Sequence, residues 1–228
     1  MSKNFDLNQN HYFYYKKNTI PLIFIHGVGL NNQMWQPQMN ELNIFSIITY
    51  DLLGHGKTPM KKEKITLKDF SNQLISILNH LKLTKINLVG FSLGSLIALD
   101  FASNFQQKLN KLILIGTTYQ RSEYERSLVL DRLNQAKLNK PISRQALKRW
   151  FSDEYLEKNP STYYLFMKIL NKKSEDHKNF LKAYELFANH RDDIKSIQKI
   201  KTKTLVMTGS NDMGSTPNMS KELVKDLP

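Results

Sequence analysis

Ser92 lies in the run VGFSLGS, residues 89 to 95, with Gly90 and Gly94 two positions to either side. A serine hydroxyl is a weak nucleophile at neutral pH unless a base takes its proton. The spacing G-x-S-x-G suits a chain that turns sharply from strand into helix with the serine at the apex, because the backbone approaches itself there and only small residues fit. The chain contains no cysteine, so disulfides, thiolate metal sites and a cysteine nucleophile are excluded, and covalent catalysis has to use another residue. A nucleophilic serine further needs an imidazole base, a carboxylate to orient that base, and N–H donors for the developing oxyanion. The carboxylate has to come from the chain's 20 aspartates and glutamates, and the imidazole from His11, His26, His55, His80, His177 or His190.

The elements that must hold these groups show in the hydrophobic pattern. LIFIHGVG (22 to 29) is a short apolar run closed by glycines, which reads as a buried parallel strand and a loop. FSIITYDLLGHG (45 to 56) repeats that plan, with QMWQPQMNEL between them as a short helix holding Pro37 early. From 66 to 83, Leu67, Phe70, Leu74, Ile77, Leu78 and Leu81 recur at intervals of three and four, an amphipathic helix. INLVG, SLIALDFAS and KLILIG then predict strand, helix and strand. This alternation predicts an α/β fold: a mostly parallel sheet with helices on both faces. His26, Asp51 and Ser92 all fall at the carboxyl ends of strands, where such sheets carry ligands. Residues 117 to 197 predict an all-helical insertion, and strand character returns with KTLVMTG at 203 to 209.

Composition sets the class. With 40% hydrophobic and 23% charged residues the chain is globular, and no apolar run approaches the roughly 18 residues of a membrane span. The polar start MSKNFDLNQN lacks the apolar stretch of an export signal, so a cytoplasmic protein is expected. The net charge of +13 raises a nucleic-acid partner, but the lysines are dispersed and arginine is scarce, so none is expected. No metal or cofactor is expected either.

Four local motifs, HGVG at 26 to 29, DLLGHG at 51 to 56, GFSLG at 90 to 94 and GSNDMGSTP at 209 to 217, occur in an order that resembles the α/β-hydrolase superfamily. Within it, HGVGLNNQMWQPQ and YDLLGHGKTP look like the serine esterase and lactonase branch around 3-oxoadipate enol-lactonase. The resemblance implies Ser92 as nucleophile, the N–H groups of Leu93 and Val28 as oxyanion donors, and Asp212 as the triad acid, with Asp51 the alternative. It makes DLLGHG a structural loop with His55 beside the site, and a small ester or lactone the substrate. LKRWFSDEYLEKNP is similar to the cap of those enzymes, so Trp150 either lines the substrate pocket with His26 and Gly27 or serves as cap core. Arg149 or a nearby lysine is then available for a substrate carboxylate. The implied organisation is a core of 1–116 and 198–228 and a helical cap of 117–197.

The family's triad runs Ser, acid, His, yet residues 213 to 228 contain no histidine. The expectation is a C-terminally truncated chain whose last strand and helix are missing, with hydrolysis impaired and His190 the best substitute base. A non-catalytic protein that binds a ligand or partner is the alternative. An exposed sheet edge and exposed apolar residues Leu223, Val224 and Leu227 are expected to favour dimerisation or poor solubility.

Overall fold

A computed structural model describes residues 4–138, 143–171 and 174–228. In chain order its first elements are β1 (Tyr12–Tyr15), β2 (Leu22–Ile25), α1 (Gln36–Glu41), β3 (Ile47–Tyr50), α2 (Leu67–His80), β4 (Ile86–Phe91), α3 (Leu93–Phe105) and β5 (Leu109–Ile115). The helices α4 (Glu123–Lys137), α5 (Ser143–Trp150), α6 (Asp153–Lys158), α7 (Pro160–Leu170), α8 (Ser174–Asn189) and α9 (Ile194–Ile197) follow, then β6 (Thr204–Met207) and α10 (Pro217–Asp226).

The six strands form one sheet in the order β1-β3-β2-β4-β5-β6. From β3 to β6 all neighbours are parallel, and β1 alone is antiparallel, against β3. The central strands are buried on both faces, which is why they read as unbroken apolar runs: all four residues of β3 are buried. Register sets Ile25 opposite Tyr50 and Gly90, and Ile115 opposite Phe91 and Met207. The residues that follow these strands therefore emerge along one line at one edge of the sheet.

The helices start where the sequence can cap them. Thr66 and Asp69 form a reciprocal capping box at α2, and Ser122 and Glu125 do the same at α4. The apolar stripe of α2 buries Phe70, Leu74, Ile77 and Leu78 completely, each contributing about 1.5–3 kcal/mol relative to exposure. That helix ends short of the expected residue 83, because Leu81 caps it and Lys82 turns to φ +54°.

One sequence expectation is corrected. Leu223 is fully buried against the core and Leu227 packs partly against it, because α10 turns its apolar stripe inward; only Val224, at 54% exposure, faces solvent. The sequence does not announce β1, because YFYY at a sheet edge carries aromatics rather than the branched aliphatic run of a central strand. Between β5 and β6 the described residues form helices and no strand. No described helix is long and apolar enough to cross a membrane.

Candidate active site

β4 ends at Phe91 and α3 begins at Leu93, so Ser92 alone makes the turn, at φ +54° and ψ −116°. A non-glycine residue in such a conformation costs about 1–3 kcal/mol and persists only where its surroundings hold it. Ser92 N–H donates to the Ile115 carbonyl at 3.0 Å, and the Ser92 carbonyl accepts from Ser95 N–H at 2.9 Å. The flanking glycines are steric requirements: a β-carbon at Gly90 would overlap the Gly94 carbonyl, and one at Gly94 would overlap the Ile25 carbonyl. With its backbone engaged on both sides, the partly exposed Ser92 keeps a hydroxyl that makes no hydrogen bond among the described residues.

The loop after β2 lies against this turn. A β-carbon at Gly27 would stand 3.3 Å from Ser92 Cβ and 3.0 Å from the Phe91 ring. Val28 N–H and Leu93 N–H, the latter in the first turn of α3, have no hydrogen-bond acceptor among the described residues. Free N–H groups of this kind are what a developing oxyanion would require.

Asp212 follows β6 and reaches the same strand ends. Its Oδ1 accepts from the N–H groups of Gly214 at 2.8 Å and Ser215 at 2.9 Å, which fixes the carboxylate. Its Oδ2 receives only a long contact from Thr208 Oγ1, at 3.4 Å, and faces Gly116, where a β-carbon would be 3.8 Å away. The same position at Gly116 is 3.3 Å from the Phe91 ring, so Asp212 stands across Gly116 from the residue preceding Ser92. No histidine bonds the side chain of Asp212 or Ser92 among the described residues.

The histidines are used elsewhere. His26 is fully buried; its Nε2 accepts from Leu52 N–H at 2.9 Å and its Nδ1 is 2.8 Å from the Gly27 carbonyl. This corrects its expected place in the pocket wall, since the ring is turned into the loop after β3 and fastens that loop to the one carrying Val28. His55 Nε2 accepts from Gly29 N–H at 3.1 Å, so it braces the same loop at a second point. His177 Nε2 lies 3.0 Å from the Ala136 carbonyl, and His190 Nε2 lies 3.4 Å from Asp192, both within the inserted helices and their exit.

Asp51, the alternative acid, is fully committed. It accepts from Asn32 N–H at 2.8 Å and Lys57 N–H at 2.9 Å, and His11 Nδ1 lies 2.8 Å away. Burial pushes its carboxyl up, but the His11 hydrogen bond, His26 and the two amides outweigh that and hold it below the usual carboxylate range. The sequence alone does not show this pairing with His11. Nothing local could have shown it, because the partners are 40 positions apart and meet only through β1 pairing with β3.

Trp150 is partly buried, edge-on to Phe166 at 6.1 Å, and packs on a cluster of Leu30, Leu147, Phe166 and Ile169 that Phe91 also joins. It therefore links the inserted helices to the residue beside Ser92. Among the described residues no group of three His, Cys, Asp or Glu side chains could hold a metal ion.

Residues 20–228 match the family model for the alpha/beta hydrolase fold. The chain is 28% identical to the (E)-2-((N-methylformamido)methylene)succinate hydrolase of Acinetobacter baylyi, over 98% of this chain and 85% of that protein. It is 26% identical to 3-oxoadipate enol-lactonase 2 of the same organism, over 86% of this chain and 72% of that protein. The crystal structure of the enol-lactonase from Burkholderia xenovorans superposes with a TM-score of 0.85 at 22% identity, covering 96% of this chain and 84% of that one, and shares its fold.

Proposed function

The chain belongs to the alpha/beta hydrolase fold family, and on that premise we propose that it is a serine hydrolase that cleaves a small carboxylic ester or lactone through an acyl-enzyme on Ser92. The observation that carries this reading is the strained turn that presents an unbonded Ser92 hydroxyl beside the free Val28 and Leu93 amides. In the reaction Ser92 Oγ attacks the substrate carbonyl carbon, and the oxyanion forms against those two amides. The ester C–O bond breaks, the leaving oxygen departs with the proton given up by Ser92 Oγ, and water then adds to the acyl carbon, freeing the acid and returning a proton to Oγ. Asp212 is the acid that would orient an imidazole base, with its Oδ1 fixed and its Oδ2 open. The helices of 117–197 act as the cap, with Trp150 contributing to the pocket.

Serine without an imidazole attacks slowly. Since no histidine bonds Asp212 or Ser92 among the described residues, we propose that the 228-residue chain by itself is severely impaired, keeping only the roughly 10³–10⁴-fold acceleration over water that oxyanion and binding groups supply. The same observation favours the second reading, a protein that binds a ligand without turning it over. The two relatives named as a lactonase and as the hydrolase of a succinate derivative support a small acyl compound as substrate or ligand.

Labelling with a fluorophosphonate, followed by peptide mapping, tests the assignment. Slow modification confined to Ser92 and lost in Ser92→Ala is expected. Labelling that proceeds equally in Ser92→Ala would remove Ser92 as the nucleophile, and rapid labelling would show that a base acts on it after all.

A further inference from the structure

In the sequence the lysines are scattered, but the topology collects many of them. Strands β2 to β6 run parallel and so begin at one end of the sheet, and β1, being antiparallel, finishes there. Lys16 and Lys17 follow β1, Lys82 and Lys85 precede β4, and Lys108 and Lys111 flank the start of β5. Lys199, Lys201 and Lys203 lead into β6.

Contacts between these segments fix them side by side. Lys17 N–H donates to Ser46 Oγ at 2.9 Å, and Ser46 N–H donates to Thr19 Oγ1 at 2.7 Å. Lys85 Nζ donates to the Gln107 carbonyl at 3.1 Å, and Lys201 N–H to Gln106 Oε1 at 3.0 Å. Leu112 N–H donates to the Lys203 carbonyl at 3.0 Å. With neighbouring strands about 4.8 Å apart, the row spans about 24 Å from β1 to β6.

The charge of this end is uncompensated. The segments that begin or end the strands here, residues 16–21, 41–46, 81–85, 106–111 and 198–204, hold nine lysines against one acid, Glu41, so most of the chain's net +13 lies in them. Eight of the nine lysines are exposed, Lys108 being half-buried, and none of them makes an ion pair among the described residues. An open cleft of about 500 Å³ is lined by Lys16, Lys17, Lys82 and Lys85 together with Thr19 and Thr84.

Aliphatic side chains stand among these lysines. Ile44, in the turn into β3, is 70% exposed, and Ile20, ahead of β2, is 43% exposed. Arginine is absent from all five segments, and with it the planar fork that grips phosphates and base edges in nucleic acids. Lysines around protruding aliphatic chains suit a lipid surface instead. Ammonium groups are drawn to anionic headgroups, and an aliphatic chain gains by leaving water for the acyl boundary.

We propose that this end of the sheet is a docking surface for an anionic lipid bilayer, held by the lysines and seated by Ile44 and Ile20. Val28, Ser92 and Asp212 follow the opposite ends of the same strands, so the docked protein presents them to the aqueous side. Docking of this kind goes beyond the hydrolase reading and does not depend on Ser92 acting as a nucleophile.

Co-sedimentation of the full chain with phosphatidylcholine vesicles, with and without about one-third phosphatidylserine, at about 0.1 M salt tests the surface. Binding is expected only where phosphatidylserine is present. Lys82→Gln with Lys85→Gln should weaken it about thirtyfold, at roughly fivefold per lysine. Lys61→Gln with Lys64→Gln removes the same charge from exposed positions between β3 and α2, at the other end of the sheet, and should change binding by no more than about twofold. Ile44→Ser and Ile20→Ser, both at exposed positions, should each weaken binding about fivefold. Equal binding to the two kinds of vesicle, the same loss in the Lys61 and Lys64 variant, or full binding by both isoleucine variants would overturn the proposal. So would displacement of the vesicles by a single-stranded oligonucleotide that both isoleucine variants bind as well as the unaltered chain, which would make this a nucleic-acid surface.

Discussion

The backbone at Ser92 stores strain that a glycine would not feel, which separates its conformational cost from its chemistry. Ser92→Gly should be more stable than Ser92→Ala by about 1 kcal/mol or more, since alanine keeps the β-carbon at φ +54°. Urea midpoints measure the difference, and equal midpoints would mean that the turn relaxes when the hydroxyl is removed. Gly94→Ala works in the opposite direction. Its β-carbon would overlap the Ile25 carbonyl, a backbone atom that cannot swing aside, so a loss of about 2–3 kcal/mol is expected in the same assay. A near-neutral Gly94→Ala would show that the loop after β2 is free to retreat, and with it the Val28 amide.

At the scale of elements, the loops that carry the site are tied together by polar groups set far apart in the sequence. Asp51 gathers His11 at the start of β1, the Asn32 amide ahead of α1 and the Lys57 amide of the DLLGHG loop. Its folded pKa lies below the ordinary value of 3.8, so its contribution is fully present above that value and is lost as pH falls through the lower folded one. Asp51→Asn should therefore cost about 3 kcal/mol at neutral pH. The gap to the unaltered chain should narrow as pH drops below the ordinary carboxylate range, as read from urea melts across an acid series. A gap that stays constant would mean that the side chain's shape, not its charge, holds the loops. This network also marks where the sequence stops being legible. The strand-turn-helix at Ser92 could be read because glycine spacing and apolar runs are local signals. The fastening by His26 and Asp51 could not, because which ring nitrogen meets which amide depends on register between strands. β1 escaped for a related reason: an edge strand needs no continuous apolar run, and its pairing with β3 shows only once Tyr12 is set against Tyr50.

For the molecule as a whole, the two edges of the sheet differ in how they discourage association. β1 is followed by Lys16 and Lys17, and Lys17 lies 4.9 Å over the Tyr15 ring, the kind of charged guard that keeps an edge from pairing. β6 has lysines only before its first residue, at Lys201 and Lys203, and none after its last. Leu205 and Met207 are 52% and 47% exposed and, two residues apart, lie on one face of the strand, with Met213 at 85% nearby. What opposes edge pairing there is long-range: a net charge of +13 repels a second copy, and salt screens that repulsion while leaving the apolar contact intact. Self-association should therefore increase with ionic strength, the reverse of an interface built on ion pairs. Sedimentation velocity at low salt and at about 0.5 M, where the Debye length falls to a few ångströms, should show monomer giving way to dimer or larger species. Leu205→Lys with Met207→Lys should hold the protein monomeric at both, with little change in its melting temperature because neither side chain is in the core. A wild-type chain that stays monomeric at high salt would mean that the twist of β6 or the neighbouring α10 already shields this edge, and that the exposed pair does not drive association.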